Sequence, residues 1–181
     1  QPKCDVSLLQ KEQRKFRIFD LLINEKWTKK RSTYFSIIQM RFTNDQLEEI
    51  AYIFERENGY QHDEYEKRII SNSKISNEEA EILEENVIDG IERGLYDNST
   101  DRISACWALG KRYNRGLIPK FKKWLKIEFE KNEDQAVYQL LISLGNMEEP
   151  VFNSDRNGGS AYYEVELNMR DAKNYLENNS A

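Results

Sequence analysis

An all-α fold is predicted by three observations. Apolar residues recur three and four positions apart, the period of a helix face rather than the alternation of a strand. Only three prolines and eight glycines interrupt that period across 181 residues. Residues that start and stop helices stand at the edges of the periodic runs, where the unpaired backbone groups of helix ends need them.

Taken in order, a first helix is expected over about residues 7–25, with Leu9, Phe16, Phe19 and Ile23 on one side, and a second over about 33–42. Thr43-Asn44-Asp45-Gln46 reads as a capping box, whose two side chains satisfy free amides reciprocally. It opens the stripe Leu47, Ile50, Ala51 and Phe54, which Asn58-Gly59 closes, because glycine adopts the left-handed C-terminal conformation without a Cβ clash. Residues 61–71 read as a short helix or an irregular connection. Ser76-Asn77-Glu78-Glu79 reads as another capping box, opening a helix to about Leu95 that buries Ala80, Leu83, Val87 and Ile91. After a turn at Asp97-Asn98-Ser99, helices are expected over about 100–113, 119–130 and 133–145. Pro119 suits a first helical turn, where its missing amide costs nothing. A loop over 146–159 with Pro150 and Gly158-Gly159 leads to a last helix over about 160–177, carrying Tyr162, Val165, Met169, Ala172 and Leu176. The length suits a single domain over 1–181, with N-terminal helices to 75 and helix pairs from 76 onward.

The apolar share of 39% is low, yet Leu, Ile, Val and Phe supply 44 residues, above the ~20% below which chains tend to stay disordered. A mean hydropathy of -0.83, with no uninterrupted apolar run of about 18 residues, excludes a spanning helix. With 27 basic against 32 acidic residues the net charge is -5, the wrong overall sign for a generic polyphosphate binder. Two cysteines, Cys4 and Cys106, are too few for a disulfide scaffold, and residues 1–16 carry charges throughout, so a reducing cytoplasm is the expected compartment.

The sharpest charge pattern is acidic. Glu78, Glu81, Glu85, Asp89 and Glu92 follow at helical spacing, stacking five carboxylates along one line of the helix expected from Ser76. Like charges at i and i+4 oppose a helix by roughly 0.2 to 0.5 kcal/mol per pair, and no Lys or Arg lies between Glu78 and Glu92 to offset them. The gain must come from outside that helix: from the basic run Lys120 to Lys126 of the same chain, or from an electropositive partner. These five carboxylates are the candidate partner-binding residues.

Leu109-Gly110 recurs 35 positions later as Leu144-Gly145, a spacing found in helical repeats. The first copy runs Asp101-Arg102-Ile103-Ser104-Ala105-Cys106-Trp107-Ala108-Leu109-Gly110, then Leu117-Ile118-Pro119-Lys120-Phe121 and Trp124-Leu125. This resembles a HEAT-type repeat, in which a first helix ends in Ala-Leu-Gly and a second opens with an Ile-Pro step. Ala105, Ala108 and Gly110 would let the paired helix approach closely while Leu109 fills the interface, so 100–113 and 119–130 are expected to pack as a hairpin. The second copy, through Asp134, Ala136, Leu140, Leu141 and Leu144-Gly145, is followed by a long loop, as in a terminal capping repeat. The resemblance implies antiparallel helix pairs forming a short HEAT-like α-solenoid. A small acidic helical chain ending in such a pair, followed by Glu148-Glu149-Pro150-Val151-Phe152, also resembles immunity proteins of bacterial contact-dependent growth inhibition and related toxin systems. That resemblance implies a non-enzymatic protein that occludes a toxin domain such as a nuclease. Its partner would be an electropositive toxin, rather than nucleic acid, a membrane or a small molecule.

Two other readings stay open. HEAT-like DNA glycosylases use a basic, aromatic concave face, which Lys111, Arg112, Arg115, Lys120, Lys122, Lys123 and Lys126 could supply with Trp107, Tyr113 and Trp124. A general adaptor is the third. Catalytic motifs are not evident: His62 is the sole histidine, Gln61-His62-Asp63-Glu64 offers too few neighbours for a zinc site, and Gly158-Gly159 lacks the rest of a phosphate-loop signature. No cofactor or metal is expected.

Overall fold

The computed structural model describes residues 41–156 and 161–179, among which there are seven α-helices, one 3-10 turn and no strand. All belong to the unit Arg41–Ala181. The helix expected over 7–25 lies outside the described residues, as do most of the one over 33–42 and Cys4. Among the described residues no helix is long and apolar enough to cross a membrane.

Helix α1, Asn44–Glu57, begins where the capping box places it: the Gln46 amide donates to Thr43 Oγ1 at 3.2 Å, and the Thr43 amide donates back to Gln46 Oε1 at 3.0 Å. Leu47, Ile50, Ala51 and Phe54 are fully buried, and Gly59 follows at φ +79°. The stretch read as helix or connection is helix α2, Glu64–Asn72, started by a second reciprocal box between Asp63 and Glu66.

Helix α3, Ala80–Glu92, starts three residues later than a cap at Ser76 would place it, with Glu79 at the cap position. The Ser76 hydroxyl donates to the Ser73 carbonyl at 3.0 Å, and Ser73 Oγ takes the Ile75 amide, so the serines stabilise a turn instead of a cap. It also stops before Leu95. Gly94, at φ +68°, closes a Schellman motif in which the Leu95 amide donates to the Gly90 carbonyl at 2.9 Å and the Gly94 amide to that of Ile91 at 3.0 Å. Ala80, Leu83 and Val87 are buried, whereas Ile91 is only partly covered.

Helix α4, Ser99–Gly110, is capped by Asn98, whose side chain accepts the Asp101 amide at 2.9 Å. A 3-10 turn at Arg115–Leu117 leads into α5, Ile118–Glu130, with Pro119 in its first turn. Helix α6 spans Asp134–Asn146 and α7 spans Val165–Asn178. The last helix therefore begins later than residue 160, and Tyr162 and Val165 are exposed rather than part of its inner face. That face is polar: Asn168 and Asp171 are buried beside Ala172 and Tyr175.

Helix α4 packs against both α1 and α6, while α6 also carries α5 and α7. The described residues before and after 75 thus share one core. Leu109, Phe121, Leu125, Leu141 and Leu144 are all fully buried, as expected. The small-residue argument holds with a different neighbour. A Cβ at Gly110 would meet Ser143 Oγ at 2.5 Å, so the glycine brings α4 onto α6, and Ser143 Oγ lies 3.3 Å from the Cys106 carbonyl. The consecutive hairpin expected between 100–113 and 119–130 is not the main packing. Helix α5 lies closest to α6 and α7, and it reaches α4 through a fork in which Arg102 donates to both oxygens of buried Glu128, at 2.8 and 3.0 Å.

Candidate partner-binding face

The five candidate carboxylates divide on folding. Glu78 lies in the bend before α3, so Glu81, Glu85, Asp89 and Glu92 form the stripe on the helix itself. Leu83 and Val87 fix the helix by burial, turning Glu81, with 73% of its side chain accessible, and Glu85 to solvent. Asp89 pairs with Arg93 at 3.0 Å, one turn on.

The fold supplies cations that the helix lacks. Arg112, just after the end of α4, donates to Glu81 at 2.6 Å, lies 3.3 Å from Glu84, and stacks its guanidinium over the Phe54 ring. Glu92 receives Lys123 at 2.6 Å and the indole N–H of Trp124 at 3.2 Å, with Lys120 at 3.8 Å. The Lys123 hydrogen bond, against the opposing effect of desolvation, holds the Glu92 carboxyl below its ordinary range. Intramolecular pairing with the basic helix therefore accounts for the C-terminal end of the stripe. Glu81 and Asp89 stay accessible although Arg112 and Arg93 pair with them, and Glu85 between them faces solvent.

Every named position of the alternative basic face has a carboxylate within 4.0 Å, Glu92 serving two of them. Lys111 pairs with Glu55, Arg112 with Glu81, Arg115 with Glu148, Lys120 and Lys123 with Glu92, Lys122 with Glu149, and Lys126 with Glu130. Trp124 is buried and Trp107 half-buried, so neither offers an open stacking platform.

Between the end of α3, α4, α5 and α6 lies a cleft of about 430 Å³, lined by Tyr96, Arg102, Cys106, Trp124, Glu128 and Leu140 among others. Its buried charge, Glu128, is paired with the partly buried Arg102. Burial pushes the Cys106 thiol up to about 12, so at neutral pH it is not a thiolate nucleophile.

Sequence reasoning missed two polar clusters assembled from distant residues. In one, Arg156 of the 146–159 loop reaches Asp171, Glu164 and Asn168. In the other, among the described residues, Glu55 of α1, His62 of the α1–α2 connection and Glu66 of α2 bring three metal-ligating atoms within 4.8 Å of one another. The first carried no local signal, since its members are separated by up to 15 positions. The second shows as His62 and Glu66 one turn apart, but Glu55 arrives only through the fold. No family model matches this chain, and no curated protein or solved structure matches it significantly.

Proposed function

We propose that this chain is a non-enzymatic binding protein of the immunity type, which neutralises a bacterial toxin domain of the nuclease class by covering its basic substrate channel. The observation that supports this reading is the exposed carboxylate row Glu81, Glu85 and Asp89 on a helix whose opposite side is buried. Carboxylates at helical spacing can stand where successive phosphates would lie, and complementary charge accelerates association while rejecting wrong partners. Glu78 and Glu92 would flank the contact, Glu92 already shared with Lys123. The proposed architecture is HEAT-like, with α4 and α6 stacked through Gly110 and Ser143 and with α5 and α7 carried on α6. A cytoplasmic location fits the reading.

The test is direct. A secreted toxin domain encoded beside this gene should bind the purified chain and lose its nuclease activity on doing so. The Glu85→Lys variant should associate at least several-fold more slowly, with a weaker salt dependence. Full nuclease activity in the presence of excess protein would overturn the proposal. The nucleic-acid reading has less support, because the lysines it needs are paired; salt-sensitive duplex binding would restore it. An adaptor role would instead show as binding to partners with no toxic activity.

A further inference from the structure

We infer that Glu55, His62 and Glu66 form a three-ligand site for a divalent transition cation of the zinc class. The inference starts from the hydrogen-bonding pattern around His62. Its Nε2 lies 3.0 Å from the Tyr52 backbone carbonyl, which can only accept, so Nε2 carries the proton. That leaves the Nδ1 lone pair aimed at Glu66 Oε2, also 3.0 Å away, an acceptor facing an acceptor until a cation or a second proton joins them. A histidine fixed in one tautomer by a carbonyl on its far nitrogen is the arrangement that metal-binding imidazoles use.

The surroundings are those of a prepared site. Only 5% of the His62 side chain is accessible, and the rings of Tyr52 and Tyr60 meet it edge-on at 5.7 and 5.2 Å. Glu66 is held in place because the same oxygen accepts the Asp63 amide at 2.9 Å, part of the box that starts α2. Glu55 is buried, accepts from Lys111 Nζ at 2.6 Å, and contributes one carboxylate oxygen to the three atoms gathered within 4.8 Å. Two ligands each about 2.1 Å from one ion stand roughly 3.0 to 3.4 Å apart, so the His62–Glu66 separation already suits shared coordination. One imidazole nitrogen and two carboxylates favour zinc or a similar borderline cation over calcium, which prefers six or more oxygens. With three protein ligands the fourth position is left to water. Lys111 is the cation with which an ion would compete for Glu55.

The experiment is titration of the metal-free full chain with zinc chloride at about pH 7.5, followed by calorimetry and by thermal melting. We expect one equivalent bound, a raised melting temperature, and at least tenfold weaker binding in both His62→Gln and Glu66→Gln, with Glu55→Gln intermediate. Cobalt(II) should develop intensified visible bands with the intact protein and not with His62→Gln. Circular dichroism of each variant separates loss of a ligand from loss of α2, and Glu55→Gln tests the site from the α1 side. If the intact protein takes up no zinc, or binds it no more tightly than a folded His62→Gln variant, the pair is proton-bridged and the inference fails. That result would leave the carboxylate row on α3 untouched, because the two sites share no residue.

Discussion

Arg156 Nε donates to Asp171 Oδ2 at 2.8 Å, joining the loop after α6 to the fully buried inner face of α7. The guanidinium directs its other donors to Glu164 at 2.6 Å and to Asn168 Oδ1 at 2.6 Å, and it lies over the ring of Phe152. Asp171 also accepts from Arg170 at 2.9 Å. The described part of the loop, up to Arg156, is thus fastened to α7 by a planar fork with several acceptors.

Arg156→Ala should therefore destabilise the protein by about 1 to 3 kcal/mol, since Asn168 and one oxygen of the buried Asp171 lose their donor while Arg170 still holds the other oxygen. Arg156→Lys should recover only part of the loss, because an ammonium cannot reach three divergent acceptors at once. Urea unfolding of the three proteins measures both, and a loss below about 1 kcal/mol for the alanine variant would contradict the assignment.

Leu109→Ala removes a fully buried side chain at the α4–α6 contact. The expected cost is about 2 to 5 kcal/mol, set by how far the neighbours collapse into the cavity. Equilibrium denaturation giving less than half a kilocalorie would place the core elsewhere.

Glu85→Lys and Glu81→Lys should act oppositely on the isolated protein. Glu85 is flanked one turn away by Glu81 and Asp89, so a lysine there relieves repulsion and adds attraction, raising the melting temperature slightly. A lysine at 81 would instead face Arg112, losing an ion pair and gaining a repulsion. Thermal melts at low and high salt discriminate the two, and both differences should shrink as salt rises.

Acid should weaken the fold through Glu92 and Glu149. Both carboxyls sit below their ordinary value near 4.5: Glu92 chiefly through the Lys123 hydrogen bond, Glu149 chiefly through the Tyr175 hydroxyl and then Lys122. A lowered folded-state pKa contributes stability above the ordinary value that is lost as pH falls through the lowered one. Stability should accordingly decline from about pH 4.5 downward. Glu92→Gln and Glu149→Gln should each flatten that decline in denaturation curves collected from about pH 6 to about pH 3.

The helices were legible where local chemistry decided them. Thr43 with Gln46 and Pro119 mark starts that the structure keeps, because the first pair satisfies backbone groups within its own turn and the proline needs no partner there. Ser76 misled because its hydroxyl had a nearer carbonyl at Ser73. The two Leu-Gly pairs announced close packing, but periodicity cannot say which helix fills the notch, and Gly110 chose Ser143 over the next helix in the chain. The acidic row was visible as a spacing. Its pairing with the run Lys120 to Lys126 was one of the two expectations for it, whereas the Arg112 contact with Glu81 comes from a distant position and had no local signal.

Gly90 gives α3 one more property. A Cβ there would lie 2.8 Å from the Tyr96 ring, so the tyrosine, returning after the Gly94 stop, seats in a notch on the helix that no other residue type would leave open. The ring acts as a key against rotation: α3 cannot turn about its own axis without driving backbone into aromatic carbon. Glu81, Glu85 and Asp89 are consequently held at a fixed azimuth before any partner arrives. Less ordering entropy is left for docking to offset, so a complex formed on this face should owe its lifetime to rigidity as much as to charge.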